Sequence, residues 1–425
     1  MSNFVFVVDS NKKPLNALHP GQARRLLKQG KASVFRRYPF TIILPQDSVE
    51  PSADYQLKID PGSKTTGIAL VKEDKVVWGA QLTHRGQSIK ADLESRSAVR
   101  RNRRNRKTRY RKARFQNRRR KEGWLPPSLQ SRVENIMTLV NRIMRYAPVT
   151  GLSQELVRFD TQALQNPEVT GKEYQQGELF GYEVREYLLE KWQRKCAYCG
   201  ATDTRLEVEH IRPKSKGGSN RVSNLAIACH DCNQQKGSTD IEEFLKGKPT
   251  ILSKILKQAK KPLEDAAAVN STRNELLKRL KQTGLPVETG TGGLTKYNRS
   301  RLNLPKTHWL DAACVGVIDD LQILTTKPLL IAAKGWGSRK MCITDRYGFP
   351  SKHRSNSKTH YGFQTGDIVK ATLPKGKFAG VYVGRLTTRK TGVFDMRLGD
   401  NTKISPVRHK YCVAIHRNDG YSYSF

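Results

Sequence analysis

Runs of apolar and polar positions predict strands over Asn3–Val8, Ser33–Arg37 and Phe40–Leu44, with a short basic helix, Pro20–Gly30, between the first two. Glycine sits where that helix should end. Gln56–Asp60, Gly67–Val71 and Val76–Leu82 follow as three further β segments, an antiparallel meander whose leading strand ends on an aspartate before the turn Pro61-Gly62-Ser63-Lys64. Leu129, Val133, Ile136, Met137, Val140, Ile143 and Met144 recur at helical spacing, and Pro148 lies just beyond. A strand ends near Glu155, a linker covers Thr161–Gly181, and Tyr182–Lys195 reads as a helix leading into a cysteine-rich block that runs to about Lys246. Ile251–Lys260 and Glu264–Lys281 read as basic helices parted by Pro262, Gly284–Asn303 as loop, and Thr307–Asp320 as a last helix before Ile323–Leu324. From Gly335 onward, short strands broken by Gly, Pro and Asn predict a small β-barrel-like module.

Composition changes the picture through charge. The chain has 425 residues, with 77 Lys and Arg against 38 Asp and Glu, a net charge of +39. Length alone predicts two to four domains, and 37% hydrophobic residues supply cores for them. A chain with a pI near 10.1 repels itself unless a polyanion neutralises it, so nucleic acid is the first partner to expect. No apolar run approaches the length of a membrane span, and Phe4–Val8 is too short for a signal peptide. Seven cysteines do not read as a disulfide framework. A reducing, cytoplasmic setting is expected.

Arg96–Lys121 stands apart. It holds 15 Lys and Arg and no acid, and neither Gly nor Pro interrupts it. Apart from Val99, Tyr110 and Phe115 it has almost nothing to pack with, so a helix lying along phosphates is expected. Its contacts would come from Arg96, Arg100, Arg101, Arg103, Arg104, Arg106, Arg109, Arg111, Arg114, Arg118 and Arg119.

Two motifs carry chemistry. Cys196-x2-Cys199 and Cys229-x2-Cys232 supply the four thiolates of a closed tetrahedral zinc site, with no position left for water. Between the pairs stand Val208-Glu209-His210-Ile211 and Ser223-Asn224-Leu225, and Asn233 follows the second pair. This stretch resembles an HNH nuclease motif, a ββα fold around one divalent ion. The resemblance implies His210 as general base, Glu209 and Asn233 as Mg²⁺ ligands, and Asn224 as the residue orienting the histidine loop.

The second motif is three acids far apart in the chain: Asp60 at a strand end, Glu155 after another strand, and Asp311 three residues after His308 on one helix face. Three convergent carboxylates can hold two Mg²⁺ ions for an in-line phosphoryl displacement. The set Ile59-Asp60-Pro61-Gly62-Ser63-Lys64-Thr65-Thr66-Gly67, Glu155 and His308-Trp309-Leu310-Asp311 resembles a split RuvC-type, RNase H-like core. An arginine-rich helix after its first piece and an HNH block before its third match the RNA-guided type II CRISPR effectors and the smaller, transposon-encoded IscB nucleases. At this length the resemblance is to the IscB family, whose opening Pro-Leu-Met-Pro module is represented here by Pro14-Leu15-Asn16-Ala17.

The fold class this implies is α/β multidomain: residues 1–48 an N-terminal PLMP-like module, 49–95 RuvC-like part I, 96–122 the bridge helix, 123–160 part II, 161–181 a linker, 182–250 the HNH domain, 251–330 basic helices and part III, and 331–425 modules binding a guide-RNA scaffold and reading a target-adjacent motif. The implied activity is RNA-guided cleavage of double-stranded DNA, the HNH site cutting the guide-paired strand and the RuvC-like site, with His308 beside its acids, the displaced one. A monomeric protein within a ribonucleoprotein, in a prokaryotic cytoplasm or nucleoid, is the expected setting. Two other readings remain open from sequence: a guide-free DNA nuclease, separable by sequencing co-purified RNA, and a non-catalytic RNA binder, excluded if chelating Mg²⁺ stops cleavage.

Overall fold

The computed structural model describes residues 2–46, 53–105, 124–156, 185, 188–189, 191–202, 204–260, 266–336, 342–345, 350–353 and 357–424. The N-terminal unit is a four-stranded sheet, order β2-β1-β4-β3, built from β1 (Val5–Val8), β2 (Pro14–Leu18), β3 (Ser33–Arg36) and β4 (Thr41–Ile43), with helix α1 (Pro20–Lys28). β2 was not expected; it pairs antiparallel with β1, while β4 runs parallel to β1.

The centre of the molecule is an eight-stranded mixed sheet. β5 (Tyr55–Asp60), β6 (Thr65–Lys72) and β7 (Lys75–Thr83) form the expected antiparallel meander. β8 (Val149–Glu155) adds parallel to β5, between the elements α2 (Gly86–Asn105) and α3 (Pro127–Met144) before it and the cysteine-rich unit after it. α3 lays Val133, Ile136, Met137, Val140 and Ile143 on one face of the sheet, over Tyr55, Leu57 and Ile59. The same burial draws in Leu276 and Leu280 of a later helix.

The cysteine-rich unit is a hairpin, β9 (Leu206–His210) with β10 (Leu225–Cys229), followed by α4 (His230–Lys236), α5 (Ile241–Phe244) and α6 (Pro249–Lys260). Its own core contains Leu206, Ile211, Val222, Leu225, Ile227, Ile241, Leu245 and Ile255. The chain then returns to the central sheet through α7 (Ala266–Lys281), β11 (Val287–Gly290), α8 (Gly292–Arg301), α9 (His308–Ala313), β12 (Gln322–Ile323) and β13 (Leu329–Ala333).

α9 packs on the face opposite α3, with Trp309 and Leu310 against Ala69, Val71 and Val76. Two glycines make that approach possible. A Cβ on Gly67 would lie 1.7 Å from the His308 carbonyl oxygen, and one on Gly79 2.5 Å from the Trp309 ring. Only glycine lets helix and strand come this close.

Beyond it lie the hairpins β14 (Cys342–Thr344) with β15 (Pro350–His353) and β16 (Thr359–His360) with β17 (Phe363–Gln364). An antiparallel sheet of order β21-β20-β19-β18-β22 follows, from β18 (Ile368–Leu373), β19 (Gly380–Thr387), β20 (Val393–Arg397), β21 (Lys403–Arg408) and β22 (Cys412–His416). It packs on Val369, Phe394, Met396 and Val407.

Three sequence expectations are corrected here. Gly284–Asn303 is not loop but β11 and α8, the helix capped by the Thr291 hydroxyl accepting from the Leu294 amide at 3.2 Å. The last helix stops at Ala313 rather than Asp320, because Gly316 takes a left-handed turn (φ +86°). The boundary at 331 runs through β13, and β23 (Tyr421–Ser424) leaves the C-terminal unit to pair with β13 in the central sheet. The linker 161–181 and residues 182–184, 186, 187 and 190 of the helix expected over Tyr182–Lys195 lie outside the described residues, and the described end of that segment is turn rather than helix, with Gln193 and Arg194 in the left-handed region at φ +55°.

Candidate functional site

Asp60 ends β5 and Glu155 ends β8, and these parallel neighbours register Ile59 against Gln154. The two acids therefore stand side by side at the carboxyl ends of adjacent parallel strands, where α/β sheets place ligands. α9 crosses at the same end. His308 Nδ1 lies 3.9 Å from Asp60 Oδ2, an electrostatic contact longer than a hydrogen bond, and Asp60 raises the imidazole pKa. Burial, then the Asp60 charge, push Glu155 up from 4.5 to about 8 against the opposing pull of Arg273; Asp311 is raised by burial and Asp60 as well. The structure thus gathers Asp60, Glu155, His308 and Asp311 from three distant segments.

Two arginines that the sequence reading missed neutralise part of this charge. Arg273 on α7 donates from Nη2 to Glu155 Oε1 at 3.1 Å and from Nε to the Pro61 carbonyl at 3.1 Å. Arg299 on α8 forms an ion pair with Asp311 at 2.8 Å. The three carboxylates do not close to within 4.8 Å of one another; among the described residues only the four cysteines do so as a group. A set of crowded carboxylates in which Glu155 and Asp311 are held above their usual range is nevertheless a donor set short of positive charge, and it fits divalent cations.

In the cysteine-rich unit, His210 ends β9 with its Nε2 3.0 Å from Asn220 Oδ1, a partner not foreseen from sequence. Asn224 clamps the intervening loop. Its Oδ1 accepts from the Arg212 amide at 2.9 Å, and its Nδ2 donates to the carbonyls of Arg212 (3.0 Å) and Ser219 (2.9 Å).

Glu209 and Asn233 are not brought together. Glu209 is buried, with Oε1 accepting from Lys236 Nζ at 2.6 Å and Oε2 from the Tyr198 hydroxyl at 2.6 Å. Asn233 instead donates to Glu207 Oε2 at 2.8 Å, and His230 Nδ1 lies 3.2 Å from Glu207 Oε1. An ion shared by Glu209 and Asn233 does not fit this arrangement, because both Glu209 oxygens are already occupied by buried donors.

Cys196, Cys199, Cys229 and Cys232 do converge, with all four sulfurs within 4.8 Å of one another. The Cys199–Cys229 sulfur separation of 3.7 Å compares with about 3.8 Å for two ligands of a tetrahedral ion with 2.3 Å Zn–S bonds. Burial opposes ionisation of Cys196, but the backbone amides of the knuckles hold its thiol down to about 7. The donor set fits zinc.

Of the basic run, Arg96, Arg100 and Arg101 lie exposed on α2, and Arg103 and Arg104 lie on the same helix. Arg106, Arg109, Arg111, Arg114, Arg118 and Arg119 fall outside the described residues.

Comparison with known proteins bears on both regions. Residues 196–239 match the profile of the HNH endonuclease family. The chain carries an HNH endonuclease domain. Residues 5–177 match the RRXRR protein family, and residues 100–104 here read Arg-Arg-Asn-Arg-Arg. A curated relative, the CRISPR-associated endonuclease Cas9 of Corynebacterium diphtheriae, is 46% identical over 48 residues, which is 11% of this chain and only 4% of that protein. Among solved structures, Streptococcus thermophilus Cas9 in complex with the AGAA PAM shows 14% identity over 61% of this chain and 32% of its own, with a TM-score of 0.23. The type II-C Cas9 from Actinomyces naeslundii shows 18% identity over 45% of this chain and 28% of its own, with a TM-score of 0.17. Scores this low carry neither fold nor function across.

Proposed function

We propose that this protein is an RNA-guided endonuclease of the IscB kind, cutting both strands of a DNA duplex at two separate centres. The observation that carries the reading is the insertion of the HNH domain between Glu155 and Asp311, while the fold still returns Asp311 to Asp60 and Glu155. The exposed arginines of α2 and the net charge of +39 support a polyanionic partner that stays with the protein, here a long guide RNA, rather than a duplex met only in passing.

At the HNH centre, the His210 imidazole accepts the proton of the attacking water, and its contact with Asn220 fixes the ring. Asn224 holds the loop after His210 in one shape, so that the base meets the phosphodiester in a single orientation. At the RuvC-like centre, Asp60, Glu155 and Asp311 would hold Mg²⁺, which supplies Lewis-acid stabilisation of the attacking and leaving oxygens. His308 stands beside Asp60 there as a proton carrier for the displaced strand. The four cysteines would hold a structural zinc that ties the two knuckles of the HNH domain together.

The test is purification of the full chain with its bound RNA, sequencing of that RNA, and incubation with a duplex matching its variable end. A defined RNA and cleavage that stops on chelation support the reading. Cleavage of unmatched duplex at the same rate overturns guidance, and binding without cleavage under any divalent ion overturns the nuclease.

A further inference from the structure

Lys236 is the most deeply buried cation described in the HNH domain, with its side chain at 0% exposure against 4% for its partner Glu209. Its Nζ donates to Glu209 Oε1 at 2.6 Å and to the backbone carbonyl of His210 at 2.8 Å. The other Glu209 oxygen takes the Tyr198 hydroxyl. Tyr198 stands inside the first cysteine pair, between Cys196 and Cys199, and its ring packs edge-on to Phe244 at 5.5 Å. The neighbouring Ala197 amide donates to the Ile227 carbonyl of β10 at 2.8 Å.

A buried ion pair of this kind is a poor device for stability, since desolvating an ammonium and a carboxylate consumes most of what their attraction returns. A packed apolar pair would hold the helix to the hairpin at least as well. What an apolar pair cannot do is grip a carbonyl oxygen. The ammonium fixes the main chain of His210 itself, and Glu209 fixes the ammonium from the side of the zinc knuckle.

We propose that Lys236, with Tyr198 behind it, is a positioning residue for His210: a buried hydroxyl–carboxylate–ammonium chain that carries the geometry of the cysteine knuckle to the general base. The inference rests on the reading of His210 as the HNH base. It explains why one carboxylate oxygen of Glu209 points to each end of the chain. It also gives α4 a role beyond carrying Cys232 and Asn233, because the last residue of that helix closes onto the strand that presents the base. A shift of about 1 Å in such a group is enough to cost about 100-fold in rate.

The experiment uses the full chain with its bound RNA, in an Asp60→Ala background that leaves only the HNH cut, and a matched duplex labelled on each strand. Lys236→Met should lower the single-turnover nicking rate at saturating duplex by about 100-fold, with duplex affinity and zinc content unchanged. Lys236→Arg should restore part of the rate, and Tyr198→Phe should lower it, by less than Lys236→Met does. If Lys236→Met loses zinc, Tyr198→Phe and Lys236→Arg, each with zinc retained, decide the matter on the same readout. An unchanged rate in these variants, with His210→Ala inactive, overturns the positioning role alone. A nick that persists in His210→Ala overturns the reading of the site and this inference with it. Loss expressed only in duplex affinity, with the saturated rate intact, also overturns it.

Discussion

A carboxyl group held at about 8 is an unusual residue to find at a strand end, and Glu155 shows what its neighbours require of it. The sign of its linkage is opposite to that of a salt-bridged acid. The folded state keeps the proton up to about pH 8, whereas the unfolded chain releases it near 4.5. Stability at this site is therefore fully present below pH 4.5 and is lost as pH rises through 8. Without divalent ions, the protein should melt lower at pH 8 than at pH 5.5, and Glu155→Gln should flatten that slope and raise the melting temperature at pH 8. Calorimetry in chelator checks both; a Glu155→Gln variant that melts lower than the parent at pH 8 would contradict the crowding of these acids. Because the Asp60 and Asp311 charges both act on Glu155, the slope reports the cluster rather than one group. The same scale shows where sequence stops. Asp60, Glu155, His210 and Asp311 were named through motif resemblances, and the structure puts Asp60, Glu155 and His210 at strand ends and Asp311 on a short helix. Arg273, Arg299, Asn220, Tyr198 and Lys236 were not legible, because their partners are brought to them by the fold or by loop closure, and no local pattern announces that.

At the scale of elements, what was legible followed periodicity and what was missed followed pairing at a distance. The β5-β6-β7 meander and α3 have strong local patterns, and both appear with nearly the expected bounds. α8 begins at Gly292-Gly293, a poor helix start that its Thr291 cap sustains, and β23 is a four-residue strand defined only by β13 beside it. The close approach of α9 onto β6 at Gly67 carries its own prediction. Gly67→Ala places a methyl against the His308 carbonyl and must push α9 away, carrying His308 and Asp311 from Asp60. The RuvC-like cut should fall by about 100-fold or more, while the HNH cut, built on a separate core, keeps its rate. The cysteine knuckles predict the converse. Cys199→Ser or Cys232→Ser should release zinc, about one ion per chain by elemental analysis, and abolish the HNH cut while sparing the other strand. A zinc-free variant that still makes the HNH cut would remove the structural role of the cluster.

On the proposed reading the whole molecule is a basic scaffold carrying two centres that share no residue, and its charge and its chemistry can be tested apart. Alanine at Arg100, Arg103, Arg104 and Arg106 should weaken RNA binding and reduce the slope of log affinity against log salt by about 3, from four lost phosphate contacts at about 0.7 each on single-stranded RNA. An unchanged slope would remove the bridge-helix assignment. The chemistry is separable because β9, β10 and α4 pack on their own core, whereas Asp60, Glu155 and Asp311 belong to the central sheet and the helix laid across it. Asp60→Ala removes a carboxylate from the acidic centre and touches nothing in the HNH domain. His210→Ala removes the base there, a loss of about 10²–10⁴-fold for a general base, and leaves the acids in place. Each single variant should therefore convert a matched supercoiled plasmid to nicked circles and stop, and the two should nick opposite strands. The double variant should bind the duplex and leave it whole. Strand-specific end labelling reads the outcome directly: if both single variants nick the same strand, or if either alone ends all cleavage while binding persists, the two centres are not independent and one of them has been assigned to the wrong residues.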